Sequence, residues 1–224
     1  MTEQNKGVQY MKEGKLEEAA KFFTDEIEKN PSEPIGYINF GNLLLHMNDK
    51  ERAERFYQKA IDLDPNAATA YYGLGNVYYE EENYKEAQEK FEKSIKLGLD
   101  EGDAYFMLGM TFQHQEQQKL ALPYLQRASE LSPDDESILF QYGLALAQTN
   151  QIDLAQQKFS TVLTINPKHS DAHYNMGVTY LYQEKVTEAL DHFSEAIKIQ
   201  PDHLLAANGK AKIEEMLNEQ KKND

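Results

Sequence analysis

Residues 68–101 have the hydrophobic pattern of two short helices joined by a polar turn. In the first half, apolar and small residues recur every three or four positions, which places them on one face of a helix. These residues are Tyr71, Leu74, Gly75 and Tyr78. Residues 80–83 are polar, and the spacing then returns at Ala87, Phe91, Ser94 and Ile95. Neither predicted helix can bury its apolar stripe alone, so we expect a neighbouring element on each side.

Four positions of this pattern recur along the chain with a period of 34 residues. A glycine stands at Gly7, Gly41, Gly75, Gly109, Gly143 and Gly177, and an alanine at Ala19, Ala53, Ala87, Ala121, Ala155 and Ala189. Four positions after the alanine come Phe23, Tyr57, Phe91, Leu125, Phe159 and Phe193. Five of the six units close on a proline, at Pro31, Pro65, Pro133, Pro167 and Pro201. A two-helix repeat of this length predicts a solenoid.

The residues of one unit form a recognisable motif. A bulky residue, Leu-Gly and an aromatic residue lie on the first helix, followed by Ala, an aromatic residue, Ala and a closing Pro on the second. The chain thereby resembles the tetratricopeptide repeat (TPR) family over essentially its whole length. The first unit departs from the motif, with Glu3, Lys6 and Glu26 at usually apolar positions. The third has Leu99 in place of the proline, and we expect the preceding Gly98 to end its helix.

The resemblance implies an all-α fold, a right-handed α-solenoid of six two-helix units plus a C-terminal capping helix. The predicted units are 1–33, 34–67, 68–101, 102–135, 136–169 and 170–203, and residues 204–224 form the capping helix and a polar tail. No Pro-, Gly- or Ser-rich linker separates them, which favours one continuous superhelix. The alternative for the last segment is a detachable helix that binds a groove of the same or another copy.

The turn between the two helices of each unit does not have the same residue type in every repeat. Gly14, Asn48 and Asn150 are residues that readily leave a helix with positive φ. The other three units have glutamate at this place, so the turn chemistry is not uniform.

Composition narrows the choice of function. The formal net charge of −15 argues against nucleic acid and anionic membrane surfaces as partners. Because the chain has no cysteine, disulfides, thiolate catalysis and cysteine-based zinc sites are excluded. The N-terminal MTEQNKG has no apolar run typical of a signal peptide, and no stretch approaches the length of a membrane span. We therefore expect a cytoplasmic protein.

A metal site is the main enzymatic alternative. His169 and His173 are spaced for one helical face, with Asp171 between them. However, His169 and His203 occupy the same position after the repeat's proline, and His173 fills the bulky position held elsewhere by a tyrosine such as Tyr37. Repeat position thus explains them, and no ligand set completes a site. Since no phosphate loop or nucleophile elbow is present either, we predict no enzyme, no metal and no cofactor.

The resemblance also implies a peptide-binding site. In TPR proteins, the concave groove is lined by first-helix positions three residues before the repeating glycine, one after it and four after it. The first set, which we call the ladder, is Ile38, Tyr72, Phe106, Phe140 and Tyr174. The other sets supply Asn42, Asn76, Met110, Leu45 and Tyr79, and Asn39 and Asn175 add contacts from two positions before the glycine. The alternative is that neighbouring first helices partly bury these side chains.

The chemistry of these positions suggests a kind of ligand. A carboxamide offers both a donor and an acceptor, and the family uses asparagine at the positions of Asn42 and Asn76 to hold a peptide backbone. The cationic clamp that some relatives use for C-terminal carboxylates is missing, with Asn39, Thr69 and Gly73 at its positions. Acidic residues lie at or near the groove instead: Glu80, Asp100, Asp103, Asp134, Asp171 and Asp202. We expect an apolar ligand with Lys or Arg flanks, either extended or an amphipathic helix.

These features favour a non-catalytic adaptor or scaffold that binds a protein or peptide in its groove. Two other functions stay open at this point. The groove could hold apolar client segments as a chaperone does, or the groove or the last helix could join copies into a homo-oligomer.

Overall fold

The structure, a computed structural model, describes residues 4–223, and its regular elements in that range are thirteen α-helices. They are α1 (Gln4–Lys12), α2 (Leu16–Lys29), α3 (Pro34–His46), α4 (Lys50–Leu63), α5 (Ala68–Glu80), α6 (Tyr84–Lys96), α7 (Gly102–His114), α8 (Gln118–Leu131), α9 (Glu136–Gln148), α10 (Ile152–Ile165), α11 (Ser170–Tyr182), α12 (Val186–Ile199) and α13 (Leu204–Asn223). The all-α fold is thereby confirmed. Glu3 lies outside the described residues.

Contacts between Cα atoms group the chain into two compact units. Unit 1 comprises residues 1–116 and carries α1–α7, and unit 2 comprises residues 117–224 and carries α8–α13. The division falls inside the fourth predicted repeat, between its two helices. Within each unit, successive helices pack on one another, and first helices also contact the next first helix, as α3 does with α5 and α9 with α11.

The core of unit 1 forms where a first-helix glycine meets a second-helix aromatic ring. The rings of Tyr57 and Phe91 are fully buried and lie against Gly41 and Gly75. A Cβ atom on Gly75 would come within 2.5 Å of the Phe91 ring, closer than side-chain packing allows. The repeating glycine is therefore required for the close approach of the two helices.

Unit 2 repeats this packing and ends in a capping helix. The rings of Phe159 and Phe193 lie against Gly143 and Gly177. Helix α13 then covers α12, burying Ile213 in a cluster with Phe193. The predicted capping helix is thus confirmed, and burial on one side explains its single apolar stripe.

The turns between paired helices contain one residue with positive φ. Gly14, Asn48 and Asn150 have φ values of 72°, 60° and 62°, which confirms the expectation from their residue types. Glutamates at the equivalent place, Glu82, Glu116 and Glu184, have φ values of 59°, 60° and 60°. The repeat geometry thus imposes the left-handed conformation even on a residue that disfavours it.

Hydrogen bonds explain how a glutamate holds this conformation. The backbone N–H of Glu82 donates to the Tyr79 carbonyl at 3.0 Å, and that of Asn83 donates to the Tyr78 carbonyl at 2.8 Å. Both bonds add donors to carbonyls of the last turn of α5, where the helix itself no longer supplies them. Gly98, where φ is 100°, makes equivalent bonds: its N–H donates to the Ile95 carbonyl at 2.9 Å, and that of Leu99 donates to the Ser94 carbonyl at 3.2 Å. Helix α6 ends at Lys96, as expected from a glycine that stops the helix.

Candidate peptide-binding site

The ladder tyrosines and phenylalanine are anchored to the second helix of their own repeat. Tyr72, Phe140 and Tyr174 are each half-buried. Their ring centroids lie 5.7 Å from Phe91, 5.8 Å from Phe159 and 5.7 Å from Phe193, respectively. Such aromatic pairs stabilise packing beyond the area they bury. Each ring is therefore fixed on one side and keeps part of its surface exposed to solvent.

Two other ladder members differ from this arrangement. Phe106, on α7, is half-buried. Ile38 belongs to the core of unit 1 and exposes only 5% of its surface, because a branched aliphatic chain is shorter than an aromatic ring and remains among the core residues. Ile38 therefore offers a ligand almost no contact surface, in contrast to the expectation from its position.

The two predicted backbone-binding asparagines lie on neighbouring first helices of unit 1. Asn42, on α3, is exposed, and the Tyr57 hydroxyl donates a hydrogen bond to its Oδ1 at 2.7 Å. Asn76, on α5, is half-buried beside Tyr72. Burial raises the pKa of Tyr72, and a hydrogen-bonding interaction with the Asn76 side chain partly offsets that rise. Both carboxamides are thus linked to tyrosines rather than free to rotate.

An aromatic cluster forms at the turn end of α5, next to the predicted site. Tyr79 packs edge-on against Tyr84 and His114, with ring centroids 5.5 Å and 5.4 Å away. Tyr84 and His114 stack with centroids 4.6 Å apart. Sequence reasoning selected Tyr79 alone; the available signal was Tyr84, an aromatic residue at a position that is Lys50 in the preceding repeat.

The remaining predicted residues are less uniform. Leu45 and Met110 are half-buried on α3 and α7. Asn39 lines a cavity of about 260 Å³ in unit 1, together with Ile35. Asn175 in unit 2 donates from Nδ2 to the Asp171 carbonyl of its own helix at 2.8 Å, so one of its donors is already used.

Histidines support the ladder in unit 2 in a way the sequence analysis did not predict. His169 begins α11 as its N-cap, where its Nδ1 accepts from the Ala172 N–H at 3.2 Å. Its ring centroid lies 4.6 Å from that of Phe140. His203 is related in the same way to α13 and to Tyr174, with centroids 5.3 Å apart. The repeated Pro-x-His sequence was the signal for this role.

His173 and His192 form a half-buried pair elsewhere in the same unit. Their Nδ1 atoms are 3.0 Å apart, and His173 Nε2 lies 3.2 Å from the Pro167 carbonyl. Since a carbonyl only accepts, His173 Nε2 carries the proton, and His192 Nδ1–H donates to His173 Nδ1. Burial lowers the pKa of His192, and His173 lowers it further. Within residues 4–223, no three His, Asp or Glu side chains are grouped as a metal site would need.

Negative charge lies close to the unit 1 asparagines. Asp103 and Glu101 add to the burial that raises the pKa of Tyr72, and Glu80 acts in the same way on Tyr57. Glu80 is itself paired with Lys50, whose Nζ is 3.4 Å from Oε2. Part of the acidic charge near these tyrosines is therefore balanced within the protein.

Successive helix pairs, in which a first-helix glycine packs against a second-helix ring at Gly41, Gly75, Gly143 and Gly177, define a helical-repeat protein whose first helices carry the candidate site. Models of the tetratricopeptide repeat match residues 66–134 and 170–203, and a TPR repeat model matches residues 41–81. The chain belongs to the tetratricopeptide repeat family.

Comparison with solved structures extends this result. YrrB, described as a TPR protein with an unusual peptide-binding site, is 50% identical, with a TM-score of 0.80 over 86% of this chain and 99% of YrrB. PilF of Pseudomonas aeruginosa is 16% identical, with a TM-score of 0.82 over 94% of this chain and 96% of PilF. A MamA chain from Desulfovibrio magneticus RS-1 is 22% identical, with a TM-score of 0.68 over 75% and 94%. The last two show the fold alone.

A search of curated proteins gives no match. Among the described helices, none is long and apolar enough to span a lipid bilayer.

Proposed function

We propose that this protein is a non-catalytic interaction module that binds an extended peptide segment of a partner protein. The binding surface is the face of α3, α5 and α7 in unit 1 that carries Asn42, Tyr72, Asn76, Tyr79 and Met110, which we call the ladder face. The observation that carries the proposal is an exposed carboxamide, Asn42 on α3, together with the half-buried ring of Tyr72 on the contacting helix α5. Carboxamides can bind a peptide backbone while rings receive its apolar side chains.

The similarity to YrrB supports this proposal, because that protein is described as having a peptide-binding site. Fold alone does not determine function, so the residues of the ladder face decide what this chain binds. Asn42 and Asn76 lie one repeat apart on helices that contact each other. Neighbouring helix axes are about 8–10 Å apart, which equals roughly three residues of extended peptide.

The charge of the site selects the flanks of the peptide. The net charge is −15, and Asp103 and Glu101 raise the pKa of Tyr72 on the ladder face. A segment with apolar anchors and Lys or Arg beside them complements this surface and gains in association rate. We propose that such segments are preferred over acidic ones of equal length.

The proposal is tested by selecting peptides from a random displayed library on the full-length chain and measuring their affinity by isothermal titration calorimetry. Asn42→Ala should weaken the tightest selected peptide about five- to tenfold, the loss of one hydrogen bond to a ligand. Gln58→Ala, which removes an exposed carboxamide from α4, is the matched control and should bind as wild type does. The proposal is refuted if no peptide is selected, or if the Asn42 and Gln58 variants bind equally well.

A further inference from the structure

Tyr57 differs from every equivalent residue of the array. The same position holds Phe23, Phe91, Leu125, Phe159 and Phe193 in the other repeats, so only the second repeat carries a hydroxyl there. Tyr57 is fully buried. Burying a hydroxyl costs free energy unless it finds a hydrogen-bond partner. Four other repeats carry phenylalanine at this position, so the fold does not need the hydroxyl. The hydroxyl therefore needs an explanation that packing alone does not give.

The surroundings of Tyr57 hold its ring in one place. It lies between Gly41 of α3 and Gly73 of α5, and a Cβ atom on either glycine would overlap the ring. Gly73 stands two residues before the repeating glycine, where the next repeat has Met107. Because both helix backbones contact the ring, the ring cannot move, and its hydroxyl can bond only to groups at the para end of the ring.

The group at that tip is Asn42, at a distance of 2.7 Å from the hydroxyl to Oδ1. The hydroxyl is the donor in this hydrogen bond, and burial, Glu80 and Tyr72 raise the pKa of Tyr57, so that it keeps its proton. The acceptor is then the amide oxygen of Asn42. Since oxygen and nitrogen diverge from the same carbon atom, fixing the oxygen toward Tyr57 turns the nitrogen away from it. The exposed end of the side chain is consequently a donor.

We propose that Tyr57 is a positioning residue that fixes the Asn42 carboxamide as a hydrogen-bond donor, so that the ladder face binds a backbone carbonyl oxygen of the peptide at this point. The inference rests on the proposed function and adds a chemical direction to it. With its oxygen held by Tyr57, Asn42 requires an acceptor from its ligand, whereas a freely rotating carboxamide accepts either polarity. Asn76 has a different partner, because the corresponding residue of its repeat is Phe91 and offers no hydroxyl, and its carboxamide interacts with Tyr72 of its own helix instead.

The experiment uses the tightest library peptide in its C-terminally amidated form, so that its carbonyl groups are the available acceptors. Affinities are measured for wild type, Tyr57→Phe, Asn42→Ala and the double variant. Tyr57→Phe should weaken binding about three- to fivefold, since an unfixed amide must be ordered by the ligand. In the Asn42→Ala background the same change should have no effect on affinity. This coupling separates positioning from a merely structural role, which would weaken both backgrounds alike.

A second arm locates the acceptor on the peptide. Each carbonyl is replaced in turn by a thioamide, whose sulfur is a weaker acceptor. One replacement should weaken binding to wild type and leave binding to Asn42→Ala unchanged. The control variant is Tyr78→Phe, which removes a hydroxyl that donates to Glu54 at 2.7 Å in the same unit; its affinity should equal that of wild type.

The outcomes are distinct. If no peptide binds, the proposed function itself fails. If peptides bind and Asn42→Ala weakens them, but Tyr57→Phe has no effect or has the same effect in both backgrounds, the positioning role is overturned while the function stands. The same holds if no thioamide position depends on Asn42. Circular dichroism and urea unfolding of Tyr57→Phe confirm beforehand that the variant is folded.

Discussion

Glu82 allows a direct measurement of what the repeat turn costs when it lacks glycine or asparagine. Its φ is 59°, and its side chain is exposed, so a substitution changes the backbone preference and little else. The left-handed conformation costs an L-residue about 1–2 kcal/mol. Glycine avoids this cost, but its larger loss of conformational entropy on folding offsets about 0.5–1 kcal/mol of the benefit. We expect Glu82→Gly to raise the free energy of unfolding by about 0.5–1 kcal/mol, and Glu82→Asn to raise it less.

Urea unfolding followed by circular dichroism measures this change. For a chain of this size, a gain of that order raises the melting temperature by roughly 1–4 °C. Glu81→Gly is the matched control, because Glu81 has a φ of −87°, where glycine has no steric advantage and should destabilise the protein by about 0.5–1 kcal/mol. A Glu82→Gly protein no more stable than wild type, or a stabilising Glu81→Gly, would refute the explanation of the turn.

Three further changes test other parts of the structure. Gly75→Ala places a Cβ atom 2.5 Å from the Phe91 ring and should reduce the unfolding free energy by about 1–3 kcal/mol, measured by urea unfolding. Because burial and His173 lower the pKa of His192, the folded chain binds fewer protons than the unfolded chain just below pH 6.5, and stability should fall as the pH is lowered through this range. His192→Phe should flatten that pH profile of the urea midpoint. Raising the ionic strength should weaken a Lys-flanked library peptide more than an uncharged one, and equal losses in calorimetric titrations would contradict the acidic contribution.

The fold was predictable because its determinants are local and periodic. The spacing of 34 residues between glycines reflects a contact that recurs in each helix pair, as between Gly75 and Phe91. The period also located the turns at Glu82 and Glu184, although glutamate itself gives no turn signal there. Residue propensity alone would have missed these two positions, since the surrounding repeat sets their φ.

The site was only partly predictable, because its details depend on side-chain directions across helices. Register placed Asn42 and Ile38 on the same face, but packing buries Ile38 to 5% exposure and leaves Asn42 exposed. The hydrogen bond from Tyr57 to Asn42 joins residues of two helices. The amino-acid sequence alone predicts neither this bond nor which of the two groups donates. His169 illustrates the same limit, since its position in the repeat was evident and its role as a helix cap was not.

Peptide binding at the ladder face of unit 1 is the central claim, and side-chain amide resonances test it most directly. A library-selected peptide is titrated into isotope-labelled full-length protein, and the shifts of asparagine and glutamine side-chain amides are followed by NMR. We predict the largest changes at Asn42 and Asn76, with little change at Gln58 and Gln126 on the second helices. Changes concentrated on the second helices or on α13, with Asn42 and Asn76 unaffected, would contradict the claim and place recognition elsewhere on the chain.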